Sequence, residues 1–222
     1  IRSIPEEDKV LYDRRKIEQL YVRFQSRKID DEKAVNQIGQ LIRNRKILLL
    51  APGASLAEEY EKITDYIKKE APYVITVNFV DDAYKMDACF VSNHKRMDIM
   101  EQEIRKMEGV LVILTSNIPS RVKGSLRVDY KRYTNSDEMI SDNAGLMLLN
   151  LLKECGADEV VLAGFDGFRH RLNGNYYSRE LNLKVNEQEA AERQRRIRRK
   201  LRKLDMKIHF LTKSVYEEEE HV

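Results

Sequence analysis

The amino-acid sequence predicts an α/β domain built on a mainly parallel sheet, and two observations support this fold class. Short, nearly continuous apolar runs rich in Val, Ile and Leu recur between residues 46 and 212. Stretches with the periodicity of amphipathic helices fall between most of these runs. Strands covered by helices on both faces have this unbroken apolar character. The alternation therefore indicates a Rossmann-like sheet with helices on both sides.

The apolar runs divide the chain into about six strands with helices between most of them. The predicted strands are 46–50, 73–79, 87–93, 109–116, 158–165 and 207–212. The predicted helices are 55–69, 95–107, 142–154 and about 186–204. Together they define one Rossmann-like domain over residues 46–222, which is long enough to bury a substantial core.

Residues 1–45 form a more polar region ahead of the first strand. The segments DRRKIEQLYVRFQSRKI and DDEKAVNQIGQLIRNR each carry an apolar stripe at helical spacing, and Asp30 or Asp31 is placed to cap the second helix. We expect a helical hairpin or linker that either packs on the main domain or joins it to a preceding one. Because the chain opens on Ile1 rather than Met, we expect an excised piece of a longer protein.

Charge and cysteine content narrow the functional class. The 40 Lys and Arg residues nearly balance 37 Asp and Glu residues, and a net charge of +3 implies no polyanionic partner by itself.

Cys89 and Cys155 have neither CxxC nor metal-ligand spacing, so we expect buried, reduced thiols and a cytoplasmic location. No apolar run approaches the roughly 20 residues that span a bilayer, and no signal-peptide core is present, so no membrane partner is expected.

The basic block RQRRIRRKLRK at 193–203 is the segment that most suggests nucleic-acid binding. Ile197, Leu201 and Leu204 recur in it at helical spacing, acids precede it, and EEEE follows at 217–220. A helix that packs by this apolar stripe and exposes a basic face fits the pattern better. Nucleic acid is therefore not expected as a partner.

Polar residues at the strand ends carry the functional information, because ligands of parallel sheets bind beyond the carboxyl ends of the strands. The first strand ends in APGAS, where Gly53 permits a positive φ and Ser55 can cap the following helix. Amides at a helix N-terminus would suit a phosphate there. The loop has neither GxGxxG nor a Walker A sequence, so an ordinary βα turn is an equal alternative.

The next strand ends supply amide, hydroxyl and basic side chains. The third strand ends in SNHKR, whose basic residues oppose the dipole of the following helix unless an anion is bound. A helix cap with solvated basic residues is the alternative. The candidate binding residues at these ends are Asn78, Ser92, Asn93, Lys95, Arg96, Ser116 and Asn117.

Two later segments complete the candidate site. Ser141, Asp142 or Asn143 can cap a helix whose Gly145 lets the backbone approach a neighbour or ligand, and Asn143 is taken as the candidate contact. Gly164 and Asp166 follow the fifth strand, and Asp166 is placed to bind a ribose or sugar hydroxyl, a metal or a loop backbone. His170 is a candidate general acid or base because histidine titrates near neutrality. No HExxH or local metal-ligand spacing is present, so no metal site is predicted.

The segments LLLAPGASL, VNF, DACFVSNHKR, ILTSN and DNAGLMLLNLLKECGADEVVLAGFDG occur in an order that carries a family resemblance. This order resembles the C-terminal region of bacterial HMG-CoA-lyase-like aldolases, often named 4-hydroxy-2-oxovalerate aldolase. The upstream IEQLYVRFQSRKIDDEKAV is similar to the segment that joins that region to the aldolase barrel. The resemblance covers nearly the whole chain. It implies an aldolase domain in cis, with no aldolase chemistry on the residues present here.

A second, more distant resemblance concerns the fold. The glycine loop ending in SL, the Asn after the next strand, the VSNHKR element and GADEVVLAGFD are similar to bacterial sialyltransferases and to motility-accessory and pterin-diphosphokinase-like proteins. Those proteins hold a nucleotide, in the sialyltransferases a CMP-sugar. The resemblance implies that Gly53 and Ser55 lie by the phosphates and that Asn78 contacts the nucleotide or donor sugar. It also implies that Gly164 and Asp166 line the nucleoside pocket.

The leading hypothesis is a nucleotide- or nucleotide-sugar-binding, sialyltransferase-like domain, naturally fused to an aldolase and acting in surface-glycan synthesis. In this hypothesis Lys95 and Arg96 help to hold the phosphate, and His170 is the base. The alternative is a non-catalytic module that senses a nucleotide or organises an aldolase homo-oligomer. No firm cofactor follows, and CMP or CDP is the type of nucleotide expected.

Overall fold

In the computed structural model the chain forms a seven-stranded sheet in which every neighbouring pair of strands is parallel. The structure describes residues 27–119, 122–168 and 186–217, together with residues 13, 15, 16, 19, 23 and 25. The strands are β1 (Ile47–Leu50), β2 (Tyr73–Val77), β3 (Ala88–Val91), β4 (Leu111–Thr115), β5 (Leu126–Val128), β6 (Glu159–Ala163) and β7 (Lys207–Phe210). The predicted Rossmann-like α/β class with a parallel sheet is confirmed.

Helices connect the strands and cover both faces of the sheet. In the described part of the chain they are α1 (Glu32–Ile42), α2 (Ser55–Glu58), α3 (Tyr60–Glu70), α4 (His94–Lys106), α5 (Tyr130–Tyr133), α6 (Ala144–Glu154) and α7 (Glu187–Arg202). A 3₁₀ turn over Glu138–Ile140 precedes α6. None of the helices in this part of the chain has the length and apolarity needed to cross a membrane.

Side chains of the central strand β1 alternate between two apolar layers. Leu49 packs in the layer that contains α1, α6 and α7, whereas Leu48 and Leu50 pack in the layer that contains α3. All three side chains are fully buried. Because helices cover both faces, every position of β1 has to be apolar, which explains its unbroken apolar run in the sequence.

Helix α1 contributes to the core of the sheet domain. Ile38 lies in its apolar stripe, is 1% exposed and belongs to the same cluster as Leu49. Asp31, at the start of α1, accepts the N–H of Asp129 at 2.8 Å and pairs with Nη1 of Arg132 at 2.5 Å. Helix α1 therefore packs on the main domain, which is one of the two alternatives for this region. The predicted boundary between residues 45 and 46 stays a prediction.

Several elements differ from the predicted ones, including the short helix α5 and the 3₁₀ turn before α6, which were not predicted. Leu126–Val128 adds strand β5 beside β4, and its three residues are too few to stand out as an apolar run. The helix predicted over 55–69 is interrupted at Glu59, whose φ of −119° and ψ of 31° separate α2 from α3. Oε1 of Glu59 also accepts the N–H of Lys213 at 2.8 Å. Because Glu59 and Lys213 are far apart in the sequence, their contact gives no local sequence signal for the break between α2 and α3.

The strand order β5-β4-β3-β2-β1-β6-β7 reverses at β1. The chain builds outward from β1 to β5 and then adds β6 and β7 on the other side of β1. At such a reversal the loops that follow the strands on either side of it leave a crevice at the carboxyl edge of the sheet. A ligand is therefore expected to bind beside the loops after β1 and β6.

Both cysteines are free thiols that the fold shields from solvent. Cys89 lies fully buried on β3, and Cys155 lies half-buried at the end of α6. Burial raises the pKa of each thiol to about 12. The thiolate is the nucleophile in thiol chemistry, so both side chains should be unreactive in the native protein.

We expect native protein at pH 8 to react slowly with DTNB, because roughly one thiol in 10⁴ is ionised when the pKa lies four units above the pH. Both thiols should react at once in concentrated urea, where their pKa returns to about 8.5. Because the pKa of both thiols is higher in the folded than in the unfolded protein, only the unfolded thiols lose protons as the pH rises above about 8.5. The free energy of unfolding should therefore fall above that pH. Rapid labelling of native Cys89 would contradict this expectation.

Candidate functional site

A cleft of about 330 Å³ opens at the carboxyl ends of β1, β2 and β6, where the strand order reverses. Its lining residues are Ala51, Pro52, Gly53, Val77, Asn78, Asn93, Arg96, Asp142, Asn143, Ala144, Gly145, Gly164, Phe165, Asp166, Gly167, Phe168, Arg193 and Tyr216. The structure thus brings most of the predicted binding residues together. The predicted residues outside this lining are Ser55, Ser92, Lys95, Ser116 and Asn117.

A larger hollow of about 850 Å³ lies at the opposite, amino edge of the sheet, beside α1 and the end of α6. Several of its charged side chains have partners: Lys46 pairs with Glu70, and Arg45 lies 3.6 Å from Asp87. In parallel sheets the ligand side is the carboxyl edge. The smaller cleft is therefore the candidate site.

Gly53 and Gly164 allow the loops after β1 and β6 to meet in direct backbone contact. The N–H of Gly53 donates to the carbonyl oxygen of Gly164 at 2.9 Å. A Cβ on Gly53 would lie 2.7 Å from Cγ of Asp166, and a Cβ on Gly164 would lie 2.8 Å from Cγ of Leu56. Gly164 also has a φ of +70°, which L side chains rarely adopt. Close approach of the two loops is the physical reason for glycine at both positions.

The Gly53 loop already binds an anion, which is the carboxylate of Asp166. Oδ2 of Asp166 accepts the N–H of Ser55 at 2.9 Å, and Oδ1 accepts the Ser55 hydroxyl at 2.5 Å. Ser55 is 1% exposed and Asp166 is 8% exposed. Of the roles open to Asp166 in the sequence, binding to a loop backbone is the one that these contacts show. The Ser55 N–H that a phosphate would need at this loop is already in use.

Several predicted residues at the ends of β2, β3 and β4 hydrogen-bond within the protein. Oδ1 of Asn78 accepts the N–H of Ser92 at 2.9 Å, and Nδ2 of Asn117 donates to the carbonyl of Ser92 at 3.2 Å. The hydroxyl of Ser116 donates to the carbonyl of Arg27 at 3.2 Å. Ser92, Ser116 and Asn117 are buried and hold the strand ends together. Of this group, Asn78 is the residue that reaches the cleft.

Helices α4 and α6 both begin at the cleft, and asparagine caps both of them. Oδ1 of Asn93 accepts the N–H of Arg96 at 3.3 Å, and Oδ1 of Asn143 accepts the N–H of Leu146 at 3.0 Å. Because Oδ1 makes each cap, the Nδ2 group is the remaining polar group of each side chain. Neither Nδ2 group has a hydrogen-bond partner among the described residues. Two amide donors beside two helix N-termini favour a ligand with negative charge.

Two guanidinium groups border the cleft. Arg96 lies half-buried in the first turn of α4. Arg193 on α7 is held by Glu189, whose Oε1 lies 2.9 Å from its Nη2. Lys95 is exposed and lies outside the lining. Of the two basic residues predicted in SNHKR, Arg96 is therefore the one placed to meet a ligand in the cleft.

Aromatic rings form one wall of the cleft. The rings of Phe165 and Tyr216 pack with centroids 5.4 Å apart and planes tilted by 56°. The guanidinium of Arg193 lies 5.9 Å from the centre of the Phe168 ring. A Cβ on Gly145 would lie 3.2 Å from Cζ of Phe165 and closer still to Cε2. Glycine at the start of α6 therefore makes room for the Phe165 ring.

The cleft contains three functional candidates that the sequence reasoning missed: Phe168, Arg193 and Tyr216. Arg193 belongs to the basic block interpreted as a helix surface, and Tyr216 lies in a segment without a motif. Because β7 pairs with β6, the segment after β7 must reach the same edge, and this signal could have pointed to Tyr216. His170 lies outside the described residues. Within those residues, no group of three or more His, Cys, Asp or Glu could hold a metal.

Comparison with known proteins gives no relative for this chain, since no family model, curated protein or solved structure matches it. The structural features that bear on function are the position of the cleft at the strand-order reversal, its amide and guanidinium groups and its aromatic wall.

Proposed function

We propose that the cleft binds a nucleotide or a nucleotide-sugar. The main support is that one cleft of about 330 Å³ combines polar donors at two helix starts with an aromatic wall. A nucleotide uses both features, because its phosphate needs donors and its base needs a flat apolar surface. The volume lies near the lower end of the roughly 300–1,000 Å³ range of ligand pockets, which suits a single nucleotide.

The phosphate of the proposed ligand lies between the starts of α4 and α6. Asn93 and Asn143 offer their Nδ2 groups there, and Arg96 adds a positive charge. A phosphate at the Gly53 loop would instead meet the carboxylate of Asp166, and like charges at contact distance repel. The proposal therefore differs from the sequence resemblance, which implies phosphates beside Gly53.

The base of the proposed ligand lies on the aromatic side of the cleft. Phe168 and Tyr216 offer ring surface there, and stacking of a base on an aromatic side chain contributes about 1–3 kcal/mol. Asn78 also lines the cleft. We assign its side chain to the ribose or donor sugar, as the sequence resemblance implies.

We also propose, on the sequence resemblance, that the domain works beside an aldolase in cis and transfers a sugar in surface-glycan synthesis, with His170 as base. The described cleft supports binding more directly than transfer, because His170 lies outside the residues that the structure describes. A non-catalytic, nucleotide-sensing module of an aldolase oligomer is the competing proposal, and it uses the same cleft.

A thermal-shift panel of CMP, CDP, UDP and ATP tests the binding proposal. At a hundredfold excess over Kd, a bound nucleotide stabilises the folded state by about 2.7 kcal/mol, which raises the Tm of a domain of this size by about 5–10 °C. Cytidine and inorganic phosphate at matched ionic strength are the controls. An unchanged Tm with all four nucleotides would reject the proposal. An equal rise in Tm with phosphate alone would show that the cleft binds anions without recognising a nucleotide.

Donor hydrolysis separates the two proposed roles once a nucleotide is known to bind. Slow release of sugar from a nucleotide-sugar by the wild type, lost in His170→Ala with the Kd for nucleotide unchanged, would support the transferase. Binding without hydrolysis would support the sensing module.

A further inference from the structure

The segment that follows β7, residues 212–216, hydrogen-bonds to the loops after β1 and β6, which are here called the floor of the cleft. Oγ1 of Thr212 accepts the N–H of Gly164 at 2.9 Å and lies 2.8 Å from Oγ of Ser55. The N–H of Val215 donates to the carbonyl of Asp166 at 3.1 Å. This segment therefore joins the loop after β1 to the loop after β6, which are the two loops at the strand-order reversal.

The hydrogen bonds through Thr212 have one consistent direction. Ser55 has a single hydroxyl proton, and the 2.5 Å separation from Oδ1 of Asp166 requires that proton when the carboxylate is ionised. Ser55 must then accept, so the Thr212 hydroxyl donates to Ser55 while its oxygen accepts the N–H of Gly164. The chain runs from Gly164 through Thr212 and Ser55 and ends on the carboxylate of Asp166.

Every side chain in this hydrogen-bond chain is buried: Ser55 is 1% exposed, Thr212 2% and Asp166 8%. Buried polar groups that are fully satisfied rigidify the structure around them, whereas a lost partner leaves a costly unsatisfied group. Thr212 itself is not among the residues that line the cleft. Any effect on a ligand must therefore pass through the loops that Thr212 holds.

We infer that Thr212 is a positioning residue for the cleft, and this inference rests on the proposed nucleotide site. Its hydroxyl bridges Gly164 and Ser55, and this bridge adds to the direct hydrogen bonds from Gly53 to Gly164 and from Ser55 to Asp166. The methyl group of a valine fills the same space without the hydrogen bonds, so removal of the hydroxyl alone should loosen the cleft floor. A loosened floor lowers ligand affinity because the ligand must then order it on binding.

The test compares Thr212→Val with Thr212→Ser, which retains the hydroxyl. We expect the Kd for the nucleotide found in the thermal-shift panel to rise at least tenfold in Thr212→Val and less than twofold in Thr212→Ser. Thr115→Val is the matched control, because Thr115 is a buried threonine at the end of β4 whose hydroxyl donates to Oδ1 of Asn117 at 2.5 Å, and neither residue lines the cleft. Its Kd should equal that of the wild type.

Amide signals provide a measurement that needs neither a ligand nor a large change in stability. In Thr212→Val the NMR signals of the Gly53, Ser55 and Gly164 amides should shift or broaden, whereas signals of the α4 amides should not. If Thr212→Val fails to fold, hydrogen exchange of wild-type protein replaces this measurement: nucleotide should slow exchange at Gly164 and Ser55 at least tenfold.

The outcomes separate this inference from the proposed function. No binding of any nucleotide by the wild type rejects the nucleotide site, and the amide signals still decide the role of Thr212. Unchanged Gly53 and Gly164 signals in Thr212→Val, or an unchanged Kd, overturns the positioning role. Where the wild type binds nucleotide, absence of nucleotide-induced protection at Gly164 overturns it as well.

Discussion

Alanine at position 164 is expected to lower the free energy of unfolding by about 4 kcal/mol or more, which is at the extreme end for a single substitution. Two causes act together at this position. The backbone has a φ of +70°, and an added Cβ would lie 2.8 Å from Cγ of Leu56 and closer still to the carbonyl oxygen of Ala51. Urea unfolding followed by circular dichroism measures the loss.

Gly124→Ala is a matched control for this substitution. Gly124 has a φ of +78°, almost that of Gly164, but an added Cβ there would meet no atom within 4 Å. Only the cost of the left-handed backbone conformation remains, so the free energy of unfolding should fall by about 1–2 kcal/mol. Equal losses in the two variants would show that the loops after β1 and β6 separate easily, contrary to the close packing described above.

Aspartate in place of the two cap asparagines should abolish most nucleotide binding without unfolding the protein. Asn93→Asp and Asn143→Asp retain the oxygen that caps α4 and α6, and a negative charge at a helix N-terminus is favourable. Each substitution also replaces an amide donor with an anionic oxygen beside the proposed phosphate. We expect about tenfold weaker binding for each variant and about a hundredfold for the double variant, where each tenfold corresponds to about 1.4 kcal/mol.

Asn186→Asp controls for the effect of the cap itself. Oδ1 of Asn186 caps α7 by accepting the N–H of Glu189 at 2.8 Å, and Asn186 lies outside the cleft. This variant should bind nucleotide as the wild type does in isothermal titration. If Asn93→Asp and Asn143→Asp also bind CMP normally, the phosphate does not lie between α4 and α6, and the proposed orientation of the ligand is wrong.

The sheet could be predicted well from the sequence because its strands are covered on both faces. Strand β1 is four apolar residues in a row, and such a run is visible without any knowledge of its neighbours. Strand β5 lacks this property, because Leu126 and Arg127 are only half-buried at the edge of the sheet. An edge strand of three residues offers too few apolar positions for recognition.

The position of the candidate cleft could be predicted, but the partner of each side chain could not. The carboxyl-edge rule brings Asn78, Asn93, Asn143 and Asp166 to one cleft from sequence order alone. Which of them meets a ligand depends on contacts between distant segments. Asp166 bonds to Ser55, 111 positions away, and no local pattern records that contact.

The contact between Ser55 and Thr212 joins positions that are 157 residues apart. A ribosome releases the loop after β1 long before it releases the segment that holds this loop in place. The Thr212 bridge between the two loops therefore forms only after residue 212 has left the exit tunnel. The proposed ligand meets the complete cleft only late in synthesis, so it should stabilise the finished domain and not guide its early folding.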